Sequence, residues 1–210
     1  MLRRLIVLLL CKPFARIILG LSVVHRDRLV KDGPAIVVAN HNSHLDTLIL
    51  FSLFPSRLVP KIRPVAAADY FMSNPVSRFL STRIIGILPV DRQRADRSID
   101  PLLSSYVALE RGDILLLFPE GTRGEPERMS ALKTGVARLA QKFPHVAVQP
   151  VFLRGAGRSL PKGGSYLVPF LCHAIVGEPL TWSGDKDGFM RQLGETLGAL
   201  EREAPPLYWE

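Results

Sequence analysis

Short apolar runs alternate along the chain with longer stretches in which apolar residues recur at helical spacing. The runs predict seven strands, at Ser22–Arg28, Ala35–Ala39, Val65–Ala68, Gly86–Val90, Asp113–Phe118, Val146–Leu153 and His173–Val176. The longer stretches predict five helices, from Ser43 to Phe54, Asn74 to Arg83, Asp100 to Arg111, Ser130 to Lys142 and Asp185 to Glu203. This alternation is typical of an α/β fold, and we expect a mixed, mostly parallel sheet of about seven strands flanked by helices.

The first 21 residues have a different pattern. An apolar run, Leu5–Cys11, is followed by Lys12 and Pro13, and a second apolar stretch contains Arg16. A spanning helix needs about 20 mostly apolar residues, and these cations would lie near the middle of the bilayer. No small-residue cleavage site follows, which disfavours a secretory signal. We expect residues 1–21 to form a membrane-interface helix kinked at Pro13, or alternatively a helix packed on the protein's own core.

Composition bounds the remainder of the chain. With 47% hydrophobic and 22% charged residues, the 210 residues are typical of a globular protein and exclude a disordered or fibrous one. Residues 22–210 contain no repeat or linker and are interpreted as one domain. The two cysteines, Cys11 and Cys172, have neither metal-ligand spacing nor a disulfide framework, so we expect reduced thiols.

The net charge of +8 lies entirely in the first half of the chain. Residues 1–111 hold 16 basic and 8 acidic side chains, whereas residues 112–210 hold equal numbers of each. A basic half indicates an anionic partner, such as nucleic acid, a membrane surface or a phosphorylated substrate. Nucleic acid is excluded because the chain lacks aromatic–basic interleaving and any known binding module.

A stretch rich in histidine and asparagine follows the predicted strand Ala35–Ala39 directly. On one continuous helix, His41 and Asp46 would be about 140° apart, which is too far for a hydrogen bond. If His41 lies in the turn and Ser43 is the helix N-cap, Asp46 can accept from one imidazole nitrogen and leave the other as a general base. Alternatively, Ser43 and Asp46 are only a capping box. We expect His44 to point elsewhere.

A second candidate site, Phe118–Arg123, ends the most apolar strand. In open α/β sheets, ligands bind beyond the carboxyl ends of strands. Gly121 allows a close backbone approach, Thr122 supplies a hydroxyl and Arg123 a guanidinium, which together suit a phosphate. Alternatively, the segment is a polar turn with an internal pair between Glu120 and Arg123.

Two further segments complete the set. The strand Gly86–Val90 leads into a charged loop in which Arg92 is a second candidate phosphate donor, or alternatively part of a solvated arginine run that opens a helix. The segment Val148–Val151 is interrupted by Pro150, so it is predicted to be an edge or bulged strand without side chains for chemistry.

Taken in order, these four segments resemble the glycerolipid acyltransferase family, typified by lysophosphatidic acid acyltransferase (1-acyl-glycerol-3-phosphate acyltransferase). Its His-x4-Asp block is matched by His41 and Asp46, and its Gly…Asp-Arg block by Gly86–Arg92. Its Phe-Pro-Glu-Gly-Thr-Arg block is matched residue for residue by Phe118–Arg123. Its Val/Ile-Pro-Val block is matched within Val148–Val151, and the resemblance extends from about Ser22 to Pro179.

The resemblance implies transfer of a fatty acyl chain to the free hydroxyl of a lysophospholipid, first of all 1-acyl-glycerol-3-phosphate, giving phosphatidic acid. The donor would be the thioester of acyl-CoA or acyl carrier protein, with no cofactor and no metal. His41 would be the general base and Asp46 would orient it. No Gly-x-Ser-x-Gly elbow occurs in the sequence, which agrees with direct transfer.

The resemblance also assigns the phosphate site. Arg123 would hold the acceptor phosphate in a loop shaped by Glu120, Gly121 and Thr122, and Arg92 would contribute a second cation. We expect the enzyme at the cytoplasmic face of the cell membrane, peripheral or monotopic, with its oligomeric state open.

The sequence departs from the family pattern at Ala66–Asp69, where a lysine is common, and at Gly124, where serine is common. These departures leave the acceptor open, and a different lysolipid such as lyso-ornithine lipid is an alternative. Two competing hypotheses about the activity are a thioesterase and a non-enzymatic membrane lipid-binding protein.

Overall fold

The computed structural model describes residues 2–67, 82, 85–90, 100–125, 128–161 and 166–206. Within them the strands are β1 Ser22–Val24, β2 Ala35–Ala39, β3 Ile62–Ala67, β4 Leu88–Val90, β5 Ile114–Leu117, β6 Ala147–Arg154 and β7 His173–Val176. The α-helices are α1 Leu2–Ile6, α2 Leu45–Leu53, α3 Leu103–Glu110, α4 Gly135–Lys142, α5 Ala156–Ser159 and α6 Lys186–Glu203.

The seven strands form one sheet in the order β1-β7-β6-β2-β5-β3-β4. Every neighbouring pair is parallel except β6 and β7, which are antiparallel. The predicted mixed, mostly parallel seven-strand sheet is therefore confirmed. Strand β2 lies at the centre and is buried at every position, as parallel strands covered on both faces are.

Alternate side chains of β2 define the two faces of the sheet. Ala35, Val37 and Ala39 pack in one cluster with α2 and the N-terminal helix. Ile36 and Val38 pack in a second cluster with residues of α3, α4 and α6. The period-two alternation of a strand thus produces a three-layer structure from one run of five apolar residues.

Several predicted strand boundaries are corrected. Strand β1 ends at Val24 because His25 adopts a left-handed conformation with φ of 53°, and a 3₁₀ turn follows at Arg26–Arg28. Strand β3 begins at Ile62, three residues earlier than predicted. The charge of Arg63 hides this start in the sequence, but its guanidinium bonds to Asp113 at 2.9 Å.

One predicted helix start is also corrected. The helix expected from Ser130 begins at Gly135, because Ser130 bonds instead to Glu120 in the preceding loop. The helix expected from Asn74 to Arg83 lies outside the described residues. The start predicted at Asp185 is confirmed: its carboxylate accepts from the backbone N–H groups of Asp187 and Gly188 and caps α6.

Strand β6 is not the edge strand that its proline predicted. It lies between β2 and β7, and Pro150 is in register with Val38. Its carbonyl still accepts from the backbone N–H of Gly177, so the strand loses a donor but keeps its acceptor.

The N-terminal segment is helical from Leu2 to Ile18. Helix α1 continues in two π-helical segments, Val7–Cys11 and Phe14–Ile18, and Pro13 between them keeps helical torsions. Its inner face packs on the core and includes Val7, Ala15 and Leu19. Its outer face leaves a row of large apolar side chains exposed, at Leu2, Leu5, Leu8, Leu9, Leu10, Ile17 and Ile18. No helix among the described residues has the length and apolarity to cross a bilayer.

Candidate active site

The histidine–aspartate pair forms in the loop between β2 and α2. His41 Nδ1 lies 2.8 Å from Asp46 Oδ2. The same oxygen accepts backbone N–H groups from Asn42 at 2.7 Å and Ser43 at 2.8 Å. Asp46 is fully buried, and the imidazole of His41 and the two backbone N–H groups hold its carboxylate in place. His41 thus folds back over the first turn of α2, as the hydrogen bond to Asp46 required.

Helix α2 begins at Leu45, and Ser43 performs the predicted capping role: its Oγ accepts the backbone N–H of Leu45 at 3.2 Å, and its own N–H donates to Asp46 as in a capping box. Ser43 also donates its hydroxyl to the carbonyl of Leu160 at 2.7 Å. The serine therefore anchors the loop to the segment that follows β6.

The contacts of the imidazole define its chemistry. A carboxylate accepts hydrogen bonds and cannot donate them, so His41 Nδ1 carries a proton, and in the neutral imidazole Nε2 keeps its lone pair. The ring of Phe118 stacks on the imidazole with centroids 4.1 Å apart and planes 16° apart. The ring is thus fixed on one edge and one face, and Nε2 can act as a base.

Glu120 joins the loop after β5 to the loop after β2. Its Oε1 accepts the backbone N–H of His41 at 2.7 Å. Its Oε2 accepts the backbone N–H of Ser130 at 2.8 Å and the hydroxyl of Ser130 at 2.7 Å. The backbone N–H of Gly124 also donates to the carbonyl of His41 at 3.2 Å. Glu120 is only 2% exposed, and its buried carboxylate positions the loop of His41.

His41 opens on a cleft of about 400 Å³ at the carboxyl ends of β2, β5 and β3. One wall carries Phe118, Gly121, Thr122 and Arg123, and the other is apolar and formed by β3 with Ile85 and Ile87. The cleft therefore places a base and a cation opposite a surface suited to an aliphatic chain.

His44 lies in this cleft, whereas its position on the predicted helix suggested that it points elsewhere. Its Nε2 contacts the guanidinium of Arg123. Burial lowers the pKa of His44, and the charges of Arg123 and His41 lower it further. A neutral imidazole is therefore favoured there, and its Nε2 accepts from Arg123.

Lys133 is a further cation beside the site. Gly121 has φ of +76°, and a Cβ at that position would lie 2.7 Å from Lys133 Nζ. The lysine backbone N–H donates to the carbonyl of Pro119 at 2.8 Å, which holds it over the loop. Arg92, the other candidate cation, lies outside the described residues. No cluster of metal-ligating side chains occurs in the part of the chain that the structure describes.

Fold and site together define an α/β protein with a hydrogen-bonded histidine–aspartate pair and an arginine at the carboxyl edge of a mostly parallel sheet. Residues 21–154 match the family model named Acyltransferase, which covers more than half of the sequence. The chain therefore belongs to the Acyltransferase family.

Curated relatives carry related names. The chain is 32% identical over 132 residues to the chloroplastic 1-acyl-sn-glycerol-3-phosphate acyltransferase LPAT1 of Arabidopsis thaliana, covering 63% of this chain and 35% of that protein. It is 30% identical over 121 residues to human 1-acyl-sn-glycerol-3-phosphate acyltransferase alpha, covering 57% of this chain and 40% of that protein. The chain thus spans well under half the length of these two relatives.

A solved structure shares the fold. The 1-acyl-sn-glycerophosphate (LPA) acyltransferase PlsC from Thermotoga maritima superposes with a TM-score of 0.74 at 22% sequence identity. The superposition covers 96% of this chain and 81% of that one. The likeness therefore extends over almost the whole architecture.

Proposed function

We propose that this protein is an O-acyltransferase that moves a fatty acyl chain from a thioester to the free hydroxyl of a lysophospholipid, first of all 1-acyl-glycerol-3-phosphate. The product is then phosphatidic acid. The observation that carries this proposal is the His41–Asp46 pair, 2.8 Å apart, in the same cleft as Arg123. Both relatives described above are named as 1-acyl-sn-glycerol-3-phosphate acyltransferases, which supports the same acceptor.

His41 Nε2 takes the proton of the acceptor hydroxyl while the hydroxyl oxygen bonds to the thioester carbonyl carbon. Asp46 keeps the imidazole in the required tautomer and stabilises the imidazolium. The carbon–sulfur bond then breaks, and the departing thiolate takes the proton from His41. General-base assistance of this kind contributes about 10²- to 10⁴-fold in rate.

The acceptor phosphate binds at the guanidinium of Arg123, with the Thr122 hydroxyl and the backbone of Gly121 beside it. Arg92 supplies a second cation. Glu120 holds the loop and does not face the phosphate, because its oxygens are occupied by His41 and Ser130.

The donor is the thioester of acyl-CoA or of acyl carrier protein. Residues 1–21 form the membrane-associating segment and residues 22–210 the acyltransferase domain. The exposed outer face of the N-terminal helix binds the cytoplasmic face of the cell membrane, where lysophospholipids are presented.

The test measures thiol release from acyl-CoA and from acyl carrier protein thioesters, with and without 1-acyl-glycerol-3-phosphate. Release is expected only with the acceptor. His41→Ala should lower kcat by about 10²- to 10⁴-fold and leave acceptor binding intact. His145→Ala is the matched control, since His145 is exposed on the surface and absent from the cleft.

Two results would contradict the proposal. Thiol release that is equally fast without acceptor would indicate a thioesterase. Full activity of His41→Ala would remove the base from the mechanism. Parallel assays with lyso-ornithine lipid then assign the acceptor, since the lysolipid that is converted to its diacyl product most rapidly is the substrate.

A further inference from the structure

A second exposed apolar surface lies far from the N-terminal helix in sequence. Between 37% and 85% of four large side chains is exposed there, at Tyr166, Leu167, Val168 and Leu171. The backbone beneath them is held in place, because Val168 N–H donates to the carbonyl of Ser159 at 2.9 Å and Phe170 N–H donates to its hydroxyl at 3.2 Å. The apolar side chains of residues 166–171 are therefore presented to solvent from a fixed backbone.

This surface is continuous with the outer face of the N-terminal helix. A Cβ at Gly20 would lie 2.6 Å from the Leu171 side chain, so the two segments touch. The backbone N–H of Cys172 also donates to the carbonyl of Leu19 at 2.9 Å. Ile17, one helical turn before this contact, is 78% exposed. The two segments therefore form one apolar surface larger than either alone.

The sheet topology puts this surface at the edge that carries the active site. Arg154 at the end of β6 pairs with His173 at the start of β7, so residues 155–172 connect the strands at the carboxyl end of β6. The loops of His41 and Arg123 leave β2 and β5 at the same end. The hydrogen bond from Ser43 to the carbonyl of Leu160 joins the two regions directly.

The charges around both segments have one sign. The sequence has no Asp or Glu before Asp27 and none between Glu127 and Glu178. Burial lowers the pKa of Lys12, and the nearby charges of Arg26 and Arg16 lower it further, so cations cluster beside the helix. Both segments lack acidic residues in sequence, and apolar side chains with neighbouring cations suit the interface of an anionic bilayer.

We propose that residues 166–171 are a second membrane contact, which acts with the N-terminal helix to seat the active-site edge of the sheet on an anionic bilayer. The proposal rests on the membrane role given to the helix under the proposed function. One helix alone would leave the protein free to roll about the helix axis. A second contact removes that freedom and directs the cleft towards lipids in the membrane surface.

The test is co-sedimentation with vesicles of phosphatidylcholine, with and without phosphatidylglycerol. Val168→Asp should weaken partitioning onto the anionic vesicles about tenfold, because an apolar contact is lost and an acid is introduced. Leu103→Asp is the matched control, since Leu103 is 52% exposed and Val168 51%, and Leu103 lies on α3. Leu9→Asp tests the helix in the same assay.

The outcomes separate the two contacts. Wild-type partitioning of Val168→Asp together with weak partitioning of Leu9→Asp would overturn the second contact and keep the first. Wild-type partitioning of both variants would overturn both contacts. Thermal unfolding of each variant verifies that the fold is intact, as expected for substitutions at exposed positions.

Two further measurements distinguish an effect on membrane binding from an effect on catalysis. Lipids with brominated acyl chains should quench a Tyr166→Trp variant more than the parent protein, and equal quenching would overturn the proposal. Val168→Asp should acylate an acceptor in detergent micelles at the wild-type rate and an acceptor in vesicles more slowly. If the parent protein transferred no acyl chain in either medium, the proposed function would be overturned, while the vesicle-binding result would still stand.

Discussion

Arg123 lies on the cleft wall beside His44, whose pKa is lowered by burial and by the charge of Arg123. A lowered pKa favours the neutral imidazole, so His44 competes less with the guanidinium for an anion. A charge-assisted hydrogen bond contributes about 1.5–3 kcal/mol. Arg123→Ala should therefore raise the acceptor KM roughly ten- to hundredfold with a smaller effect on kcat, as steady-state kinetics with varied 1-acyl-glycerol-3-phosphate will measure.

Arg128→Ala is the control for this substitution. It removes an arginine from the same loop whose side chain is 81% exposed and bonded to Glu125. Its KM should stay at the wild-type value. An unchanged KM in Arg123→Ala would move the phosphate site away from this residue, and an equal rise in both variants would indicate general electrostatic attraction.

At the scale of elements, Glu120 ties the loops after β2 and β5 together. Its buried carboxylate accepts three hydrogen bonds, from His41 and Ser130. In Glu120→Gln an amide N–H₂ must face a backbone donor on one side. We expect the free energy of unfolding to fall by about 3 kcal/mol, as measured by urea denaturation, and kcat to fall because His41 is displaced.

Ser130→Ala should cause a smaller loss of stability than Glu120→Gln. It removes the hydroxyl donor and keeps the backbone donor, so the loss of stability should be about 1 kcal/mol. Glu125→Gln is the control, because that carboxylate is 76% exposed in the same loop. If Glu120→Gln were as stable as Glu125→Gln, the Glu120 carboxylate would not be what holds the loops after β2 and β5 together.

The contacts of Glu120 also show where prediction from sequence stops. His41 and Asp46 are only five residues apart, so the local pattern could offer their hydrogen bond as one of two alternatives. The contacts of Glu120 with His41 and of Arg123 with His44 each span 79 residues, and no local pattern encodes them. The same holds for β6, whose proline suggested an edge although its neighbours β2 and β7 lie on both sides.

The ends of strands and helices also divide into those that local pattern predicts and those that long-range contacts determine. β2 and β7 have their predicted bounds because their apolar runs end at Asn40 and Gly177, residues that disfavour strand. The start of β3 was missed because Arg63 forms a long-range pair with Asp113. The start of α4 was misplaced because Ser130, a good capping residue, is used by Glu120 instead. Local chemistry fixes an element's type and some of its ends, whereas distant partners fix the ends that were missed.

For the whole molecule, the excess positive charge divides between surface and interior. Arg4 and Arg16 of the N-terminal helix are exposed, in agreement with an attraction to anionic lipid. Arg3 points inward: its guanidinium donates to the carbonyl of Ile62 and lies over the Phe51 ring. Burial, and next the charge of Arg63, lower the pKa of Arg3 to about 10. Net charge therefore overstates the cations that can meet a membrane.

The stability of the whole molecule should depend on pH through its partly buried histidines. His173 begins β7 at the active-site edge, and its buried Nδ1 has no hydrogen-bond partner in the described part of the chain. Burial lowers its pKa from the ordinary value of 6.5, and the charge of Arg154 lowers it further. The unfolded chain then binds a proton more readily than the folded one, so stability is lost as the pH falls from about 7 through the depressed value.

His173→Leu should therefore flatten the decline in the free energy of unfolding between pH 7 and about 5, a range above the titration of most carboxylates. The measurement is urea denaturation at several pH values in that range. His145→Leu replaces an exposed histidine and should leave the wild-type slope. Because the depressed pKa of His44 adds a decline of the same sign, His173→Leu should keep part of the slope. A slope identical to wild type would mean that His173 is protonated equally well in the folded and unfolded chains.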